Sequence, residues 1–375
     1  MFYYRFCAII RIFNYKIIFK LHFPNYNLIN LVTKMSKFTL KERFEKAVKG
    51  EALDIVPVCS VTQTGTVELM EITGAYWPQA NYDAEKMATL AIAGYEIAGF
   101  ESVRCPFCTT VLAETLGCTV AEGSIDIQPY ITDFPCKKKA DVKHITVPDS
   151  FLKSRRTSVV LDAVEIMKEK VGEDVPVIAG IVGPAGLAMM LAGIRNYLMW
   201  FVTNPEVLEE LMGILIDICI EYANGLLDRG ADAITLIDSE AGPDLIAPEM
   251  FKRSVFPLYR KFCREVKGVR ILHMCGNATA ILDPLADAGF DGISIEEKVS
   301  VSLAKGVFGD RVRLIGNISP SDTLLAKGPE AVMIEATACL EDGIDILAPG
   351  CGLAPHTPLE NIKALLKARD IYFSQ

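Results

Sequence analysis

From Thr39 to the C-terminus the chain repeats one alternation, a short apolar run followed by a longer stretch with helical periodicity. The apolar runs are "DIVPVCS" (54–60), "FESVRCP" (100–106), "VPVIAGIVGP" (175–184), "ADAITLIDS" (231–239), "VRILHMCG" (269–276), "GISIEE" (292–297), "RVRLIGNISP" (311–320) and "GIDILAPGCG" (343–352). Continuous apolar runs of this length suit strands covered on both faces, and strands alternating with helices build a parallel sheet. Eight such units predict an α/β fold closed as a single (β/α)8 TIM barrel; a doubly wound open sheet is the alternative.

The intervening segments carry helix signals. "TLKERFEKAVKG" opens on a capping box of Thr39 and Glu42 and stops at Gly50. Asn204 precedes Pro205 at the start of a long helical pattern, and Thr357, Pro358 and Glu360 form a similar start to the last one. No linker or fixed-period repeat interrupts the alternation, so a single barrel domain is expected over residues 35–375.

In barrels of this kind the chemistry gathers at the C-terminal ends of the strands. Arg104, Asp238, His273, Cys275, Glu296, Asn317 and Cys351 all fall there. His273 and Cys275 are two residues apart, and residues i and i+2 of a strand point the same way. Cys351, after the eighth run, can approach the same point from across the mouth. A His-Cys-Cys donor set suits zinc, and three protein ligands leave the open position that a catalytic site needs. Spacing alone leaves a buried-core reading open beside the metal one. Glu296 is either a resting fourth ligand or a surface partner of Lys298, and Asp238 either a pocket acid or a loop cap. The pair in "CPFC" (105–108) has no matching second pair and reads as core or pocket lining.

A thiol is little ionised at pH 7, and zinc deprotonates it while leaving a sulfur lone pair for attack. Sulfur-rich shells weaken zinc as a Lewis acid, so the two cysteines favour alkyl transfer to a thiol over hydrolysis.

Charge narrows the partners. The net charge is −9 and no basic region offsets it, which argues against a nucleic-acid partner. Residues 1–34 contain five basic residues and no acidic one, and are dense in Phe, Tyr, Ile and Asn. This segment reads as a wrongly extended start ahead of Met35, with a targeting peptide as the rival. Arg11, Lys16 and Lys20 interrupt its apolar runs, so no membrane span is expected there. Without those five basic residues the net charge falls from −9 to −14. Eleven cysteines without a disulfide-type spacing read as reduced thiols of a cytoplasmic protein.

The stretches "VPVCSVTQTGTVELMEITGAYWP", "LHMCGN", "GISIEEKV" and "GIDILAPGCGLAPHTPLENIKALLKARD" resemble the methylcobamide:coenzyme M methyltransferases of methanogenic archaea, within the uroporphyrinogen decarboxylase superfamily. The resemblance runs from Met35 to the C-terminus and is closer to the methanol-pathway branch than to the methylamine branch. It implies that His273, Cys275 and Cys351 bind Zn2+, with Glu296 as the resting fourth ligand. It also implies a reaction in which a methyl group passes from a small methylated corrinoid protein to the thiol of coenzyme M. The sulfonate of coenzyme M needs an anion site. Arg104 is the candidate, helped by Asn317 and backbone N–H groups, unless Arg104 is spent on a salt bridge. "LIDSEAG" (236–242) departs from the family pattern, which has a proline after the position of Asp238. A metal-free decarboxylase and a non-catalytic corrinoid-protein-binding barrel with structural zinc are the alternatives.

Overall fold

The structure is a computed structural model that describes residues 37–374, together with the backbone of an antiparallel pair, Ile9–Ile12 with Tyr15–Ile18. The chain divides into two compact units, Met1–Lys37 and Phe38–Gln375. Beyond the backbone of that pair, the reading of residues 1–34 as an extension lies outside the described residues.

Seven strands of the larger unit form one parallel sheet in chain order: β1 (Val103–Cys105), β2 (Val177–Val182), β3 (Ala233–Ile237), β4 (Val269–Met274), β5 (Gly292–Ile295), β6 (Arg313–Ile318) and β7 (Ile346–Pro349). Each matches one of the apolar runs. The first run, 54–60, is the exception, contributing a single bridge from Val58 to Leu347. Pro57 has no N–H to donate, so only isolated bonds form. Leu347 N–H donates to Pro57 O (3.0 Å), Cys59 N–H to Leu347 O (3.1 Å) and Glu101 N–H to Val58 O (2.8 Å). Pro57 and Cys59 thus bond to the last strand, and Val58 between them to the segment leading into β1.

The inner face of the sheet has its own apolar cluster, which includes Cys59, Ile178, Ala233, Ile271, Ile315 and Ile346. Residues two apart share a face, so positions further along these strands, such as Thr235, His273, Ser294 and Asn317, continue the same inner surface. The helix Leu40–Lys49 closes the opposite end. Its capping box forms as the sequence predicts, and Gly50 ends it at φ 68°. Phe44, Ala47 and Val48 from this helix enter the inner cluster. Complete burial of Phe44 alone contributes about 1.5–3 kcal/mol.

Near the same end, Glu101 accepts from Arg369 Nη1 (3.0 Å) and Nη2 (3.1 Å), from Arg43 Nη1 (3.4 Å) and from Val58 N–H (2.9 Å). This buried cluster joins the first and last helices of the unit to the first apolar run.

The last helix, Leu359–Phe373, begins later than Thr357 implies, and no side chain of its own N-terminal residues caps it. Its Leu359 N–H donates instead to Glu68 (2.8 Å), a carboxylate 291 residues away in sequence. One helix among the described residues, Pro184–Thr203, has the length and composition of a membrane span, but half of it is buried against the rest of the protein.

Candidate metal centre

His273 lies near the end of β4, and its parallel register sets it beside Ile237 on β3 and Ser294 on β5. Cys275 follows just beyond the strand, and Cys351 lies two residues after β7. The His273 Nε2 is 3.1 Å from Cys275 Sγ, which is 3.3 Å from Cys351 Sγ. All three donor atoms lie within 4.8 Å of one another. Tetrahedral zinc bound to one imidazole nitrogen and two sulfurs would hold them about 3.5–3.8 Å apart. The donor types suit that ion, and the two short separations lie within about half an ångström of that range.

Two loops aim the cysteines. Gly276 turns the chain after Cys275 at φ +79°, and a Cβ there would collide with the Asp244 carboxylate. Gly352 lies so close to Gln63 that a Cβ would come within 2.8 Å of its Cγ. Gln63 fastens this second loop to the segment that follows the first apolar run. Its backbone O accepts from Leu353 N–H (3.0 Å), its side-chain amide donates to Leu353 O, and its side-chain carbonyl accepts from Gly65 N–H (2.8 Å). Ser239 holds the other loop by accepting from Cys275 N–H (3.1 Å).

The two thiols share their proton unequally. The Cys351 thiol is pushed down to about 4, first by a hydrogen bond from Cys275 and then by a bond and favourable charge from His273, with burial opposing. Cys275, as the donor, is pushed up.

The other sequence candidates occupy different surroundings. Glu296 does not join the cluster; it accepts from Gly276 N–H (2.8 Å) and pairs with Lys298 Nζ (3.5 Å). Asp238 is wholly buried and accepts from Gly186 N–H (2.7 Å), Tyr259 O–H (2.9 Å) and Ala185 N–H (3.4 Å). It therefore anchors the start of the helix Pro184–Thr203. Burial, reinforced by the charge of Glu240, pushes its carboxyl up to about 7 against those hydrogen bonds. The Asn317 amide donates to Val299 O (2.9 Å) and Glu296 O (3.3 Å), and its Oδ1 accepts from the Cys339 thiol (3.1 Å). Its polar atoms are committed to the chain itself.

Arg104 is different. It is 3% exposed and makes no ion pair among the described residues. One of its N–H groups reaches Pro106 O, its Nε has no partner, and burial lowers its pKa to about 10. A buried cation without a counter-ion is costly, and an anionic ligand would relieve that cost.

Cys105 and Cys108 are buried free thiols, as the lining reading of "CPFC" holds, and Arg156 donates to Cys108 Sγ (3.0 Å). Sequence reasoning missed Gln63, Ser239 and Ser294. Ser294 was the legible one of these, since it stands two residues before Glu296 on the same face of its strand.

The chain matches the family model "Uroporphyrinogen decarboxylase (URO-D)" over residues 39–372. It is 47% identical over 341 residues to methylcobamide:CoM methyltransferase MtaA of Methanosarcina barkeri, covering 91% of this chain and 100% of the relative. To methylcobamide:CoM methyltransferase MtbA of Methanosarcina acetivorans it is 34% identical over 344 residues, covering 90% and 99%. A solved structure of a methyltransferase from Methanosarcina mazei superposes with a TM-score of 0.87 at 46% identity, covering 90% of this chain and 100% of that one.

Proposed function

The chain belongs to the methylcobamide:CoM methyltransferases of the uroporphyrinogen decarboxylase family, and we propose that it transfers a methyl group from a methylated corrinoid protein to the thiol of coenzyme M. The product is methyl-coenzyme M, an intermediate of methanogenesis from methylated compounds. Identity is 47% to MtaA and 34% to MtbA, which favours the methanol branch.

The observation that carries this reading is the convergence of one imidazole and two sulfurs from separate strand ends within 4.8 Å of one another. His273, Cys275 and Cys351 would hold zinc, and Glu296 would serve as resting fourth ligand by turning away from Gly276. Bound there, zinc supplies an ionised, still nucleophilic sulfur from an incoming thiol near neutral pH. A metal-free decarboxylase would leave this cluster without a role.

The chain's own residues do the remaining work. Arg104 offers its unpaired guanidinium to the sulfonate of coenzyme M, which fixes one end of a short molecule and directs its sulfur to the cluster. Gln63 and Ser239 hold the two cysteine loops in place. Asp238 and Asn317 support the site through the backbone they bind. The small residues of "CGNATA" and "GCGLAP" leave room at the mouth for the corrinoid face of the partner. The seven strands and Pro57–Cys59 are read as one closed eight-stranded barrel, and the free thiols suit a reducing cytoplasm.

The deciding experiment uses anaerobic full-length protein with methylcobalamin or the methylated corrinoid protein, followed by corrinoid absorbance. Demethylation that requires both the protein and coenzyme M is expected, with about one zinc per chain. Zinc present without thiol-dependent demethylation of either donor would leave only a structural role for the metal.

A further inference from the structure

Ser294 lies outside the donor set, yet it touches the one ligand whose chemistry depends on its orientation. A neutral imidazole carries one N–H, and the other nitrogen holds the lone pair that a metal needs. In His273, Nε2 faces the sulfurs, 3.1 Å from Cys275 Sγ, while Nδ1 lies 3.0 Å from Ser294 Oγ. Both residues are buried, His273 at 1% and Ser294 at 0% exposure. They are direct partners in the parallel register of β4 and β5, so the sheet itself, rather than a loop, sets their separation.

We propose that Ser294 is the positioning residue of the metal centre: its hydroxyl accepts a hydrogen bond from the Nδ1–H of His273, fixes the tautomer, and leaves Nε2 free to bind the metal. This inference rests on the metal reading of the cluster. The choice of hydroxyl over carboxylate has a consequence. Metal-binding histidines often donate to a carboxylate, which adds negative charge and makes the imidazole more basic. Two thiolates would neutralise a divalent ion, and an anionic fourth ligand, Glu296 at rest or the substrate thiolate in its place, would give the centre a single negative charge. A buried carboxylate behind His273 would add a second, uncompensated negative charge. A neutral serine orients the ring without that charge, so the centre can still accept an anionic thiolate.

The test compares full-length wild-type protein with S294T, S294V and S294A, prepared anaerobically. Threonine and valine have nearly the same shape and differ in the hydroxyl. Zinc affinity is measured by competition with a chromophoric chelator. The thiolate absorption of the cobalt(II)-substituted proteins gives a second readout that a purely structural role would leave alone. Far-UV circular dichroism checks the fold. S294T is expected to keep wild-type affinity and spectrum. S294V and S294A are expected to lose about 10–100-fold in affinity and to shift the cobalt spectrum. Equal affinity in S294V and S294T, or wild-type affinity in S294A, would overturn the role of the hydroxyl. A wild-type protein that binds no metal would instead overturn the metal reading, and this inference with it.

Discussion

The guanidinium of Arg104 lies against the backbone of Gly180, where a Cβ would overlap its Nη2. The two residues are on adjacent strands, and the missing side chain at 180 is what leaves room for a large cation inside the sheet. Arg104→Met keeps the bulk and removes the charge. It is expected to raise KM for coenzyme M about 10–100-fold, the range for losing hydrogen bonds to a charged group. Zinc content should stay unchanged. Steady-state kinetics with 2-mercaptoethanol, which lacks the sulfonate, should show little difference between variant and wild type. An equal loss with both thiols would place Arg104 outside the anion site.

Cys351 offers the most direct test of the ligand set. Cys351→Ala removes one of three donors and leaves the inner apolar cluster intact. Turnover is expected to fall to background and zinc affinity to drop by at least about 100-fold, while the circular dichroism and the melting temperature of the metal-free protein stay near wild type. Full turnover in this variant would exclude Cys351 from the metal.

Much of this arrangement is legible in the sequence because it depends on local periodicity. Seven of the eight apolar runs become strands, and His273 and Cys275, two residues apart, bring their donor atoms within 3.1 Å. What the sequence hides depends on distant partners or on backbone donors. Pro57 reduces the first run to a single bridge. Glu68, not Thr357, caps the last helix, because folding brings a carboxylate there from across the chain. No local pattern announces that Gln63 will latch the loop of Cys351. Glu296 shows the limit at the level of one side chain: its strand position is readable, but its bond to Gly276 N–H depends on how the neighbouring loop turns.

Stability is expected to reside partly at the other end of the sheet. Glu101 is 5% exposed and joins Arg43, Arg369 and the backbone of Val58. Glu101→Gln removes the carboxylate shared by two buried arginines, while Arg43 keeps Asp54 (2.9 Å) and Arg369 keeps Asp370 (2.6 Å). Because each arginine retains a carboxylate, the expected cost is that of weakened hydrogen bonds to charged groups, about 1.5–3 kcal/mol. A denaturant titration of the metal-free protein should show the midpoint falling with an unchanged slope. The zinc affinity of the folded variant should equal that of wild type, since His273, Cys275 and Cys351 stand at the opposite strand ends.

Metal removal should expose a second property of the cysteine pair. Cys275 and Cys351 are separated by 76 residues in sequence, but their sulfurs stand 3.3 Å apart. A bound metal would occupy both sulfurs and oppose their coupling. Once a chelator has removed it, a small disulfide oxidant such as oxidised glutathione can be attacked by one of the two sulfurs in its thiolate form, and the other stands within reach to resolve the mixed disulfide. Each protein disulfide formed consumes one glutathione disulfide and releases two glutathione thiols, so the protein loses two hydrogens. Peptide mapping of the chelated, oxidised protein should find the Cys275–Cys351 cross-link. The buried thiols, such as Cys219 and Cys263, should stay free. The zinc-loaded protein under the same treatment should resist cross-linking, and reduction followed by zinc should restore activity. Cross-linking at the same rate with and without zinc would mean that these sulfurs are not its ligands.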